Sequence, residues 1–131
     1  MIEARDVAIS CARIADSKKA RDIVVLEIGK LLFLTDYFVI ATGENRIQLQ
    51  AIAEDIQHQL AAAGAHEIGR SGFTDFRWLL LDYNDVVVHL FLPEARAYYD
   101  LELLWGDAPR VTWESEEAKT STEAEAAGPS G

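Results

Sequence analysis

Cysteine is almost missing from this chain, which contains Cys11 and no second thiol. A single cysteine cannot close an internal disulfide and offers no companion thiolate for a zinc site, so a disulfide-stapled or zinc-thiolate scaffold is excluded. The sequence also lacks an apolar run long enough to span a bilayer and a basic-then-apolar signal peptide. We therefore expect a cytoplasmic protein with no membrane partner.

Basic residues are the second scarcity. The chain has 12 Lys and Arg against 22 Asp and Glu, which gives a net charge of −10. Binding through nucleic-acid phosphates requires clustered Lys and Arg, so direct, sequence-specific nucleic-acid binding is disfavoured as the main activity, although a local basic patch is compatible with this composition. An acidic body is better suited to a basic protein partner.

Apolar residues, by contrast, are plentiful enough for one core. Half of the 131 residues are hydrophobic, so a single domain can bury a core without disulfides or metal ions. From Gly106 onward the chain becomes small, polar and acidic, with six acidic and two basic residues and no apolar period. We expect one folded domain over residues 1–105 and a disordered acidic tail over residues 106–131.

Hydrophobic periodicity predicts an α/β fold. Apolar residues at spacings of three and four indicate a first helix from Ala4 to Lys19 and a second helix between an N-cap at Asn45 and a C-terminal Gly64. "DIVVLEIG" and "DYFVIAT" are typical of strands, and the second is apolar enough for an interior strand. "FRWLLLD" and "DVVVHLF" predict a hairpin turning at Asn84. The expected fold is a small mixed β-sheet flanked by helices.

The last of these strands carries the residue that could do chemistry, His89. Side chains alternate along a strand, so His89 shares one face with Val87 and Phe91. That face is compatible with a hydrogen-bonded core histidine or with an open binding surface. No second His or Cys lies at metal-ligand spacing, and Asp82 and Asp85 bracket the turn as acceptors of its N–H groups, so a metal-dependent catalytic site is disfavoured.

Motifs for cofactors and catalysis are also missing. The strand exit "ATGENR" contains one glycine and matches neither the P-loop nor the dinucleotide fingerprint. We therefore expect a protein that is not an enzyme and that binds no cofactor or metal. The chain does have aromatic residues and arginines toward its C-terminal half, a mix that is common at interface hot spots and also in small cores.

Four ordered blocks, "TDYFVIATG", "QAIAEDI", "WLLLDYNDVVVHLF" and "YYDLELLWGDAP", resemble the ribosomal silencing factor family, also called Iojap-like. The resemblance extends from about Lys18 to Val111. It implies a fold like that of nucleotidyltransferases without their catalytic residues, often as a homodimer. It also implies translation repression by binding the large ribosomal subunit through its protein number fourteen, which sterically blocks joining of the small subunit. By the family pattern, the residues on or near the partner-binding surface are Trp78, His89, Phe91, Glu94, Arg96, Tyr98 and Tyr99.

Two other functions stay open at this point. A nucleotidyltransferase-like enzyme would require a nucleotide and metal site, and an RNA-binding ribosome-assembly adaptor would bind naked RNA with strong salt dependence. The chain also departs from the family pattern where the second helix begins. There it has Glu44, Asn45, Arg46 and Ile47 in place of small polar residues followed by a basic one, so this helix start presents its charge differently.

Overall fold

The computed structural model describes residues 3–29, 35–100 and 106–114. These residues form three helices and five strands. In chain order they are α1 (Ala4–Ser17), β1 (Arg21–Glu27), β2 (Tyr37–Thr42), α2 (Arg46–Ala62), β3 (Gly69–Ser71), β4 (Trp78–Asp82), β5 (Val86–Phe91) and α3 (Pro93–Tyr99).

The five strands form one mixed sheet in the order β1-β2-β5-β4-β3. β2 runs parallel to β5, with Tyr37 opposite Val86 and Thr42 opposite Phe91, and the other neighbouring strands are antiparallel. β2 is an interior strand because it has β1 on one side and β5 on the other, as its unbroken apolar run predicts. The predicted mixed sheet flanked by helices is confirmed.

α1 and α2 cover one face of this sheet. Ala8, Ala12 and Ala15 are fully buried along α1, and these small side chains let the helix lie close to the strands. Cys11 belongs to the same face, and burial raises the pKa of its thiol to about 12, so it is an unreactive core residue. The strands contribute a wholly aliphatic layer to this core: Val25, Val39, Ala41, Leu79, Leu81, Val86, Val88 and Leu90.

Both ends of α2 follow from local sequence. The side chain of Asn45 accepts a hydrogen bond from the N–H of Gln48 at 2.9 Å, and the Gln48 carboxamide accepts from the N–H of Glu44 at 2.7 Å, which closes a capping arrangement. At the other end Gly64 has φ +92°, and the N–H of Ala65 donates to the carbonyl of Leu60. This is the glycine-dependent Schellman ending, so both predicted caps are confirmed.

The β4–β5 hairpin turns where the sequence predicts. Asn84 has φ 73°, a conformation that asparagine tolerates better than most residues. The carboxylate of Asp82 accepts a hydrogen bond from the N–H of Asn84 at 2.8 Å. Asp82 is therefore an acceptor of the turn N–H, as predicted.

Residues 106–114, which we call the edge strap, differ from the predicted disordered tail. The strap runs antiparallel to the outer edge of β1, where the N–H of Glu27 donates to the carbonyl of Pro109 and the N–H of Val111 donates to that of Val25, both at 2.8 Å. Ala108 and Val111 are buried. Their short apolar sequence was masked by the acidic composition that follows, and residues 115–131 of the predicted tail lie outside the described chain.

None of the helices described here has the length and apolar character needed to cross a membrane.

Candidate partner-binding surface

The face of the sheet opposite α1 and α2 carries the predicted site residues. A smaller core lies there, beneath the seven-residue helix α3. Its members come from β1 and the residue after it, β2, β5, α3 and the edge strap: Val24, Leu26, Ile28, Phe38, Ile40, Phe91, Ala95 and Ala108, with Trp78 and Val87 packed against them. The mixed composition predicted for this face of β5 is therefore observed, and β5 supplies the buried part of the candidate surface.

Trp78 and His89 form a hydrogen-bonded pair across β4 and β5. The indole Nε1–H of Trp78 donates to Nδ1 of His89 at 3.0 Å. The His89 ring also meets the ring of Phe38 edge to face, with centroids 4.6 Å apart. His89 is only 4% exposed, so the two possibilities left open by the sequence are decided in favour of a buried, hydrogen-bonded histidine.

This geometry fixes the chemical state of His89. An Nδ1 atom that accepts a hydrogen bond carries no proton, so a neutral His89 must carry its proton on Nε2. Nε2 is buried and has no hydrogen-bond partner in the described part of the chain. Burial away from water lowers the pKa of His89 from 6.5 to about 4, because desolvation penalises the charged imidazolium.

Phe91 supports Trp78 from beneath. The two rings stack with centroids 5.0 Å apart, and Phe91 is 1% exposed. Phe91 and His89 are therefore too deeply buried to present a contact area to a partner. Their contacts restrain the half-buried Trp78 indole.

The remaining predicted residues lie on α3. Tyr98 is 83% exposed and Glu94 is exposed as well. Arg96 is half-buried and donates from its guanidinium to the Thr42 hydroxyl at 2.9 Å. Tyr99 belongs to α3, but its side chain lies outside what the structure describes. The sequence pattern thus mixes exposed residues with residues that support them.

A cavity of about 500 Å³ lies where the β3–β4 loop, β4 and α3 meet. It is lined by residues of the β3–β4 loop, β4 and α3: Gly72, Asp75, Arg77, Trp78, Ala95 and Tyr98. We call these six residues the Trp78–Tyr98 surface. It combines two aromatic side chains with one acidic and one basic group, a composition suited to an aromatic or aliphatic anchor from a protein partner.

Sequence reasoning missed the contribution of Gly72. This residue has φ +88°, and a Cβ there would lie 1.9 Å from the backbone carbonyl oxygen of Trp78. The β3–β4 loop can therefore approach the start of β4 only because residue 72 has no side chain. A glycine six residues ahead of a strand was the only signal available in the sequence.

Across residues 3–29, 35–100 and 106–114, no group of three or more His, Cys, Asp or Glu side chains is placed to hold a metal ion.

The fold is that of a known class of small α/β protein. A solved structure from Chromobacterium violaceum superposes with a TM-score of 0.77 at 36% identity, covering 80% of this chain and 88% of that one. The family model "Ribosomal silencing factor during starvation" matches residues 1–130. The chain belongs to this family, as its sequence blocks indicate.

Named relatives agree with this assignment. The ribosomal silencing factor of Bacillus subtilis is 44% identical over 98 residues, which is 75% of this chain and 83% of the relative. A mouse protein named "Mitochondrial assembly of ribosomal large subunit protein 1" is 36% identical over 76% of this chain and 44% of its own length. Family membership implies ribosome-associated regulation, and these names describe regulatory or assembly factors rather than enzymes.

Proposed function

We propose that this protein represses translation by docking on the large ribosomal subunit, through that subunit's protein number fourteen, and obstructing the small subunit. The family assignment supports a ribosomal role, and the mouse relative's name refers to the large subunit. The observation that carries the choice of surface is the exposed Tyr98 beside a Trp78 that is held in place by His89 and Phe91. Steric obstruction requires affinity and bulk, and it requires no catalytic turnover.

The supporting contacts matter because an ordered anchor loses less entropy on binding. Trp78 is restrained by one hydrogen bond and by one ring stack before any partner arrives. Restraining a side chain in advance saves about 0.5–1.5 kcal/mol for each rotamer-rich group that would otherwise be immobilised. In this proposal, Trp78 and Tyr98 contact the partner, and Glu94 and Arg96 flank them. His89 and Phe91 hold the Trp78 indole in position.

Charge supports a basic protein as the partner. The chain carries a net charge of −10, and proteins that coat ribosomal RNA are rich in Lys and Arg. Opposite net charges raise the rate of encounter and disfavour like-charged competitors.

The proposal places the protein in the cytoplasm. It also includes a homodimer, as the resemblance implies. Sedimentation of the purified chain at several concentrations measures that self-association.

Co-sedimentation tests the docking step. The purified chain is mixed with isolated large subunits, small subunits or joined ribosomes and separated on a density gradient, and small subunits are then added to the preformed complex. We expect comigration with the large subunit alone and a reduced yield of joined ribosomes. Comigration with small subunits, or an unchanged yield of joined ribosomes, would contradict the proposal.

Tyr98→Ala tests the surface itself. Because Tyr98 is 83% exposed, we expect its truncation to weaken large-subunit binding by roughly 1–3 kcal/mol with little change in stability. Ile68→Ala is the matched control, since Ile68 is 67% exposed and lies outside the Trp78–Tyr98 surface. If both variants show the same change in affinity, Tyr98 has no specific part in binding, and the choice of the Trp78–Tyr98 surface is wrong. Trp78→Ala is less informative because it also removes the contacts with His89 and Phe91.

A further inference from the structure

A second surface concentrates cations in this acidic chain. The guanidinium carbon of Arg46, at the start of α2, lies 4.2 Å from the centroid of the Phe76 ring. Arg77 directly follows Phe76 and is exposed. In the same loop, Phe73 meets Phe76 edge to face at 5.7 Å, and the guanidinium of Arg70 lies 5.0 Å from the Phe73 ring. We call Arg46, Phe76 and Arg77 the arginine patch.

The two arginines of this patch differ from the neighbouring basic residues in their ion pairing. Arg70 is neutralised by Glu67, and Lys18 and Arg21 are paired with Asp55 and Glu44. Arg46 and Arg77 form no ion pair with any acidic side chain in the described ranges. The acidic residue nearest in sequence is Asp75, which is exposed and lines the Trp78–Tyr98 surface with Arg77.

Two electrostatic effects of opposite sign act on Arg46. It is the first residue of α2, and the first turn contains no acidic residue. The positive end of the helix dipole disfavours a cation there, whereas the contact with the Phe76 ring favours it. Arg46 is nevertheless exposed, so its guanidinium is accessible to phosphate oxygens, which guanidinium N–H groups bind well.

The arginine patch adjoins the surface proposed for docking. Arg77 belongs to both, because it also lines the cavity with Trp78 and Tyr98. Arg46 lies beyond the same end of the sheet, because Thr42 and Trp78 are both in register with Phe91. A partner bound in the cavity would therefore bring its own surroundings to this end of the protein. The large subunit consists mainly of RNA, and RNA repels a chain of net charge −10 except where unpaired cations are exposed.

We propose that Arg46 and Arg77 contact the phosphodiester backbone of ribosomal RNA when the protein is docked. This inference rests on the proposed function and adds an RNA contact to it. The recognition is of phosphate charge, without base specificity. The negative charge of Asp75 opposes the contact, so removing that charge provides a second test of it.

Salt dependence of large-subunit binding separates an RNA contact from a protein contact. The dissociation constant is measured across a range of salt concentrations for the wild type and for Arg46→Gln/Arg77→Gln. Each lost phosphate contact lowers the slope of log affinity against log salt by about 0.7–0.9, so we expect the double variant to lose about 1.4–1.8. Asp75→Asn should bind more tightly than the wild type at low salt.

Two controls isolate the charge and the place. Arg46→Lys/Arg77→Lys keeps both charges and should keep the wild-type slope, whereas a structural role of the Phe76 stack would not be rescued by lysine. Arg5→Gln removes an exposed charge beside the start of β2, near Asp36 and Tyr37, at the end of that strand remote from Arg46. It should leave the slope unchanged.

The other outcomes are equally decisive. If the double variant keeps the wild-type slope, with or without weaker binding, the RNA contact is wrong and the docking proposal stands. If the wild type does not bind large subunits, the docking proposal is wrong. In that case, binding to naked large-subunit RNA at low salt decides the inference. The inference is supported if affinity for this RNA is highest for Asp75→Asn, intermediate for the wild type and lowest for the double variant. Equal affinities of the three proteins overturn it.

Discussion

At the scale of single residues, Trp78 and His89 show what the sequence could and could not predict. Strand alternation correctly places His89 and Phe91 on one face of β5. It cannot predict whether that face is covered, because alternation does not say that α3, which directly follows β5, folds back over it, and because Ala108 of the edge strap comes from further along the chain. The pairing of Trp78 with His89 depends on the β4–β5 register, which a hairpin turn at Asn84 fixes only once the turn geometry is known.

The buried His89 makes stability depend on pH. Its folded-state pKa is about 4, below the ordinary 6.5, so between these values the unfolded chain binds a proton that the folded chain does not. The free energy of unfolding should therefore fall as pH drops through this window, by up to about 1.4 kcal/mol per pH unit from this group. Urea unfolding of the wild type and of His89→Gln at pH 7 and pH 5 measures the difference.

His58 provides the matched control for that experiment. It is exposed on α2, so His58→Gln should retain the wild-type pH dependence. Parallel losses of stability in the wild type and in His89→Gln would mean that carboxylates alone cause the effect.

At the scale of elements, the ends of α2 and the β4–β5 turn were predictable because their signals are local. Asn45, Gly64 and Asn84 each act within a few residues of their own position. The edge strap and the β3–β4 loop were not predictable in the same way. The strap is stabilised by β1, from which it is far removed in sequence, and the loop is stabilised by the approach of Gly72 to the backbone of Trp78.

Gly72→Ala tests that approach. A Cβ at residue 72 would clash with the Trp78 carbonyl oxygen and would require φ +88° of an alanine, so we expect destabilisation by more than about 1 kcal/mol. Gly69→Ala is the control, because the nearest atom to its added Cβ is 4.0 Å away, and its effect should stay within about 0.5 kcal/mol. Chemical unfolding of both variants measures the contrast. Similar stabilities would show that the loop can move away from β4.

Amide hydrogen exchange tests the edge strap. Trp113 donates its indole N–H to the carbonyl of Ile23 at 3.3 Å and packs against the main core, so Trp113→Ala should loosen the strap. The N–H of Glu27, which donates to Pro109, should then exchange faster. The N–H of Ile28, which donates to Asp36, should keep its protection. Unchanged exchange at Glu27 would mean that Trp113 does not stabilise the strap.

At the scale of the whole molecule, hydrophobic periodicity correctly predicted an α/β fold, and the order of four sequence blocks indicated its family. Composition failed where it was averaged. A charge count over residues 106–131 predicts disorder for apolar positions that in fact cover β1. A net charge of −10 likewise does not reveal Arg46 and Arg77, which form no ion pair within the described ranges, because a sum carries no information about position.

The net charge predicts a response to salt. The ion pairs of the described residues involve partly exposed side chains, so screening them costs little, whereas screening the excess of negative charge relieves repulsion throughout the chain. We expect the urea midpoint at pH 7 to rise as sodium chloride is added. A chain ending at Glu114 loses four acidic residues and one lysine and should show a smaller rise. A falling midpoint would indicate that the ion pairs dominate.

The edge strap has a consequence for how this protein is synthesised. A hydrogen bond from Arg13 to the carbonyl of Trp113 joins residues 100 positions apart, and translation releases the N-terminal part first. β1 therefore leaves the exit tunnel well before the segment that covers its edge. Until then the nascent chain presents unpaired N–H and C=O groups that can pair with other strands. A ribosome stalled before the codon for Trp113 would carry a sheet whose β1 edge is not yet covered by the complete edge strap.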